Sequence, residues 1–299
     1  MAIILLVWVA GRVSNRLHVS KMPTRPAVTF ARIGQEGRLG NQLFQIASTI
    51  GVAEANAYSW GFYKNVESCA AGRLFEIHGD LDQHRPVSLH QEESQLYYDV
   101  VLPEKRKHQV VSLSGYFQDY RYFHKSLDAL NKYLHFPERR ANLVRKKVPE
   151  VTSPFSVALH VRRGDYVKLN ELYHVLDVNY YLRALSLVES RIDNVIIVSD
   201  DISWCKEMLV PRIPYRTVFS PFKDELSDFL LLHLSRCIII ANSSFSWWAA
   251  FLKYVRSPLK LKDLSICIFA PTVWYNISGG FAYMNRDSFL PPDWTRVAV

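Results

Sequence analysis

The chain has 299 residues, 49% hydrophobic and 21% charged, so it can bury a full core and is not disordered by composition. A formal net charge of +8 calls for an anionic partner: a nucleotide, a nucleic acid or an acidic membrane surface. Cys69, Cys205, Cys237 and Cys267 show no C-x-x-C spacing, which argues against a zinc or thioredoxin-type site and for structural thiols.

In chain order, Ala2 to Ala10 (AIILLVWVA) is apolar but about half the ~20 residues of a spanning helix. Arg12, Arg16, His18, Lys21 and Arg25 follow it. A shortened membrane anchor, a signal-like segment and an extra strand all stay open, and 1–26 is treated as an extension with a membrane-associated character. Ala27 to Ile33 reads as a strand, a Gly-rich turn follows, and Asn41 to Ala57 carries the helical period. Residues 61–154 show no order of elements. Glu138 to Lys147 reads as a charged helical linker, dividing the chain into 27–148 and 149–299.

The second half alternates clearly. Strands are expected at Ser156 to Val161, Asn194 to Ser199, Tyr215 to Phe219, Arg236 to Ala241 and Ser265 to Ala270. Helices are expected at Asn179 to Arg191, Ser203 to Leu209, Asp224 to Ser235 and Ser244 to Tyr254. That alternation predicts an α/β fold with a parallel sheet covered on both faces.

Three of these strands end in polar clusters: HVRRGDY (His160 to Tyr166), SDD (Ser199 to Asp201) and ANSSFSWW (Ala241 to Trp248). Ligands of open parallel sheets bind beyond the carboxyl ends of the strands, so the clusters converge on one rim. Arginines there suit a pyrophosphate, as do Ser243 and Ser244 at a helix N-terminus; the acidic pair suits a ribose or the donor edge of a guanine. Plainer readings exist for each: a solvated turn for Arg-Arg-Gly-Asp, a helix cap for Asp200-Asp201, core packing for Trp247-Trp248. A separate Asp80-Leu81-Asp82 triplet has the spacing of a metal-binding carboxylate pair but reads better as a surface turn.

Together with GRLGNQLFQ (Gly37 to Gln45) and GYFQDYRYF (Gly115 to Phe123), these clusters closely resemble the α-1,2-fucosyltransferases of glycosyltransferase family 11, over residues 28 to 297. The resemblance implies a GT-B type fold: two Rossmann-like halves facing a cleft, with the donor nucleotide on the C-terminal half. It implies an inverting transfer of L-fucose from GDP-β-L-fucose to the 2-hydroxyl of a β-galactoside glycan, with no metal and no cofactor. Arg162 and Arg163 look like the pyrophosphate and catalytic arginines, Arg163 first. His160, Asp200 and Asp201 would lie near guanine or ribose, and Ser243, Ser244 and Phe245 near the phosphates. Gly40 and Asn41, with Gly37 and Gln42, would close on the reacting sugar. Arg38 stands where the family has a second glycine, which puts acceptor preference in question.

Inversion usually needs a base, for which Glu171, His174 and Asp119 are candidates; Asn41 alone is another way to orient the hydroxyl. The apolar start and the basic residues after it lead to the expectation of a membrane-associated protein: Golgi in a eukaryote, cytoplasmic or peripheral to the inner membrane in a bacterium. A nucleic-acid partner is not expected, because the basic residues are dispersed and no recognition motif occurs. Protein O-fucosylation, transfer of another GDP-sugar and noncatalytic carbohydrate binding are the competing functions.

Overall fold

A computed structural model describes residues 25–82, 87–188, 191–256, 267–285 and 289–299. The apolar start of the chain lies outside the described residues, and no helix among those described is long and apolar enough to cross a membrane.

The N-terminal half runs β1 (Ala27–Thr29), α1 (Leu39–Ala55), β2 (Ser59–Trp60), α2 (Ala70–Phe75), β3 (Val87–Gln91), β4 (Val110–Ser114), α3 (Leu127–Tyr133) and α4 (Glu138–Lys147). Its strands form a parallel sheet ordered β2-β1-β4-β3. The first strand is shorter than its sequence suggests. Gly34 (φ +83°) and Gly37 (φ +76°) turn the chain through left-handed positions that other residues rarely adopt.

The C-terminal half runs β5 (Ser156–Val161), α5 (Gly164–Lys168), α6 (Val178–Ser186), β6 (Asn194–Ser199), α7 (Ile202–Trp204), β7 (Arg216–Phe219), α8 (Glu225–Leu234), β8 (Cys237–Ile239), α9 (Ser244–Arg256), β9 (Cys267–Pro271) and β10 (Thr295–Val297). All six strands pair in parallel in the order β10-β9-β8-β5-β6-β7. Val157 pairs with Val195 on one side and Cys237 on the other. With both faces covered, the central strands β5, β6 and β8 are buried almost throughout, which is why they read so plainly in the sequence, whereas the edge strand β10 (Thr295–Val297) is exposed at Thr295 and Arg296 and carries no such signal.

The halves share one core. Every residue of α1 from Leu39 to Ala53 is buried except Asn41, the burial expected of a helix enclosed on all sides. Its Phe44 ring lies 4.8 Å from Trp247 and 5.1 Å from Trp248, centroid to centroid. Both tryptophans are fully buried, so they are packing residues, and truncating either should cost about 3–5 kcal/mol. The helix read as a linker, α4, inserts Ala141 and Val144, and Val144 belongs to this shared core, so the segment is part of the packing. The four cysteines are free thiols.

Candidate active site

Each sheet has a strand with neighbours reached in opposite senses: β1 is flanked by β2 and β4, and β5 by β6 and β8. Such switch points are where parallel sheets hold ligands. Here the two face each other, and the segments leaving β1, β4, β5, β6 and β8 line one cleft of about 550 Å³. Both long helices begin there, α1 at Leu39 and α9 at Ser244. Their free N–H groups and positive dipole ends make the cleft a place for an anion.

Close approach of these two helix starts depends on Gly40. A Cβ there would lie 2.5 Å from the Ser244 carbonyl carbon and Oγ, and 2.6 Å from the Phe245 nitrogen. One residue on, Asn41 Oδ1 accepts hydrogen bonds from Ser244 Oγ (3.0 Å) and Gln118 Nε2 (2.7 Å). The exposed Arg38 stands 3.9 Å from Asp165 across the cleft.

Side chains alternate along an extended strand, so His160 and Arg162 face the cleft and Arg163 faces away. Arg162 Nη2 lies 2.6 Å from Asp165, Nη1 lies 2.9 Å from Asp200, and Nε is buried with no hydrogen-bond partner among the described residues. The guanidinium sits 5.1 Å from the Tyr166 ring centre. Arg163 does not line the cleft. Its Nε is 3.3 Å from Asp201, and its guanidinium lies 4.1 Å over Trp204. The structure therefore sets Arg162 in the cleft and Arg163, the first choice from the sequence, outside it, as the alternation within HVRR dictates.

The acidic pair serves the arginines. Asp200 Oδ1 accepts from the Arg163 backbone N–H at 2.8 Å, and Asp201 caps α7 through the Trp204 N–H at 3.1 Å. Asp200 still reaches the cleft, whereas Asp201 does not line it. His160 is buried, with Nδ1 2.8 Å from Ser246 Oγ. Burial, reinforced by the Arg162 charge, lowers its pKa to about 3, so the ring is neutral. Ser243, Ser244 and Phe245 line the cleft as expected, joined by Asn242, whose Nδ2 donates to the His174 and Trp274 carbonyls.

None of the three candidate bases lines the cleft. Glu171 and His174 line a separate open hollow with Asn170 and Asn276. Asp119 is buried and neutralised by Arg121, at 2.9 and 2.6 Å. Asp80 braces a turn by accepting from the Phe62 N–H at 3.1 Å. Among the described residues, no group of three or more His, Cys, Asp or Glu is placed to hold a metal ion.

Asp228 and Glu92 are among the carboxylates that escaped the sequence reading. Asp228, on α8, lines the cleft and bonds to the Ser220 hydroxyl; burial pushes its pKa up to about 6. An acid directly before the apolar run Phe229 to Leu232 was the available signal. Glu92 lines a side pocket of about 220 Å³ with Tyr116, Tyr173, Tyr275 and Phe281. Asn41, Gln118, Tyr173 and Tyr275 line both spaces, so the pocket opens beside the anion site.

Two parallel, Rossmann-like sheets with a ligand cleft between their carboxyl ends define a GT-B glycosyltransferase fold. Residues 100–261, just over half of the chain, match the glycosyl transferase family 11 profile, and the chain belongs to that family. It is 31% identical over 202 residues to an α-1,2-colitosyltransferase of Escherichia coli, a match covering 62% of each chain. It is 24% identical to a galactoside 2-α-L-fucosyltransferase of Caenorhabditis elegans, over 87% of this chain and 77% of that one. The fold matches the crystal structure of fucosyltransferase NodZ from Bradyrhizobium with a TM-score of 0.51 at 15% identity, over 76% of this chain and 92% of that one.

Proposed function

We propose that the protein transfers L-fucose from GDP-β-L-fucose to the 2-hydroxyl of a terminal β-galactoside, with inversion to an α-1,2 linkage. The observation that carries this reading is the meeting of Arg162 and two helix N-termini at facing switch points, in a chain of this family. The galactoside fucosyltransferase named among its relatives supports the donor and acceptor classes.

In this reading the diphosphate lies between Arg162, the start of α9 and the Ser243 and Ser244 hydroxyls. Cleavage of the fucose C1–O bond places negative charge on the β-phosphate, so fixed positive groups there lower the barrier more than they strengthen substrate binding. Those groups supply the stabilisation a divalent cation would otherwise give, and the reaction is proposed to need neither metal nor cofactor. His160 and Asp228 line the side of the cleft assigned to the nucleoside, where an ionised Asp228 would accept from the guanine N–H edge. Asp200 holds Arg162 in place.

The partition into halves 27–148 and 149–299 is proposed as the division into acceptor side and donor side, in that order. Reversible membrane attachment through 1–26 is proposed as well; cosedimentation with anionic liposomes, lost in a chain beginning at Met22, would support it, and equal sedimentation would dismiss it. The function itself is tested by titrating GDP calorimetrically in EDTA. Binding is expected, and binding that appears only after manganese is added would overturn the metal-independent site.

A further inference from the structure

Between β3 and β4 the chain builds a carboxylate into the wall of the side pocket. Gly115 sits at φ +135°, and a Cβ on it would come within 2.4 Å of both Cβ and Oε2 of Glu92. The glycine lets Glu92 lie across the turn that leaves β4. There Oε2 accepts from the Tyr116 N–H at 2.6 Å and Oε1 from the Phe117 N–H at 2.9 Å. The turn is fixed from behind by Gln45, which donates to the Gly115 carbonyl at 3.2 Å, and Glu92 is fixed by its own N–H on the Ser114 carbonyl at 2.7 Å. One lone pair on each carboxylate oxygen is used by the backbone, leaving the other for a ligand.

The pocket suits a sugar. Tyr166 stacks on Tyr173 at 4.0 Å and 5°, Tyr173 on Tyr275 at 5.8 Å, and Phe281 follows at 6.3 Å. This row of rings runs from the Arg162 guanidinium to the pocket, where Tyr173, Tyr275 and Phe281 make an aromatic wall beside Gln95 and Gln118. Glu92 is the one carboxylate among the described residues of its lining.

We infer that the acceptor sugar occupies this side pocket and that the Glu92 carboxylate takes the proton from its attacking hydroxyl. The inference rests on the transfer proposed above. The acceptor oxygen forms the new bond to C1 as its proton passes to Glu92, the C1–O bond to the β-phosphate breaks, and GDP leaves with that electron pair; Glu92 then returns the proton to water. Burial raises the Glu92 pKa above the ordinary carboxylate range, against the lowering effect of the two N–H groups, which makes it a stronger base than an exposed glutamate. The titratable groups facing it are the Tyr98 and Tyr122 hydroxyls, with Glu93 next in sequence and Tyr116, Tyr173 and Tyr275 around the pocket.

Three measurements on purified protein test the assignment. Glu92→Gln should bind GDP as the wild type does while kcat for transfer to lactose falls about 10²-fold or more, and the acidic limb of the pH profile should disappear. Glu92→Ala supplied with azide, a nucleophile that carries no proton, should make fucosyl azide faster than the wild type. Glu92→Asp keeps the backbone contacts within reach of an anion and should lose at least about tenfold in kcat while retaining the acidic limb. Transfer by Glu92→Gln or Glu92→Asp within about threefold of wild type, or no azide product from Glu92→Ala, would make Glu92 only a brace of the Gly115 turn. Failure of the wild type itself to bind GDP or use lactose would instead strike the function proposed above.

Discussion

Asn41 and Ser244, 203 positions apart, are joined by a 3.0 Å hydrogen bond that closes the seam between the two halves at the point where their helices begin. Because Asn41 Oδ1 also accepts from Gln118, one amide oxygen ties together the segments leaving β1, β4 and β8 at the cleft. Asn41→Ala should therefore lower kcat for fucosyl transfer by about 10²-fold with little change in melting temperature. Asn41→Asp keeps the two acceptor contacts but sets a negative charge beside the phosphates, so its GDP affinity should fall below that of Asn41→Ala. Calorimetric titration of both variants checks the order; equal affinities would remove Asn41 from the phosphate site.

The two arginines should separate cleanly. Arg162→Lys retains charge but loses the planar fork between Asp165, Asp200 and the ligand, and should cost about 10² to 10³ in turnover. Arg163→Lys loses its pairing with Asp201 and its stacking on Trp204, contacts away from the cleft, so its main effect should be on melting temperature. Steady-state kinetics and thermal melts on the pair decide the matter. A larger kinetic loss in Arg163→Lys than in Arg162→Lys would return the phosphate role to Arg163.

That exchange shows where the sequence was legible. Strands buried on both faces, such as Asn194 to Ser199, announce themselves as apolar runs, and their polar ends locate the rim. Which of two adjacent arginines enters the cleft is set by the alternation of β5, visible in the sequence only once the strand is carried through Arg162. In the N-terminal half, β1 has three residues and β2 two, too few to show a period, and the edge strand β3 alternates with its apolar Val87 and Leu89 facing outward, which hides it. Much of the packing there comes from irregular segments carrying Phe62, Phe117 and Phe123. Glu92 was hidden for a related reason: its role depends on Gly115, a partner across a sheet that periodicity cannot reveal.

A pH prediction follows from Asp228. Its pKa rises from 3.8 to about 6, chiefly through burial, with the Ser220 hydroxyl working in the opposite direction. Between those values the folded protein keeps a proton that the unfolded chain has released, so this group's contribution to stability falls as pH rises through that window. Asp228→Asn should lose that decline in melting temperature. GDP binding should run the other way, strengthening as pH rises through about 6, because an ionised carboxylate accepts from guanine. Flat GDP affinity across this range in the wild type would take Asp228 out of nucleoside recognition.

The central claim is a metal-independent transfer to the 2-hydroxyl of a β-galactoside. Its most direct test is incubation of the protein with GDP-fucose in EDTA, with lactose or a folded protein domain as acceptor, and NMR of the products. The account predicts fucosylated lactose carrying an α-1,2 linkage, at a rate unchanged by added manganese. A β-linked or differently placed fucose, a manganese requirement, or transfer to the protein domain alone would contradict it.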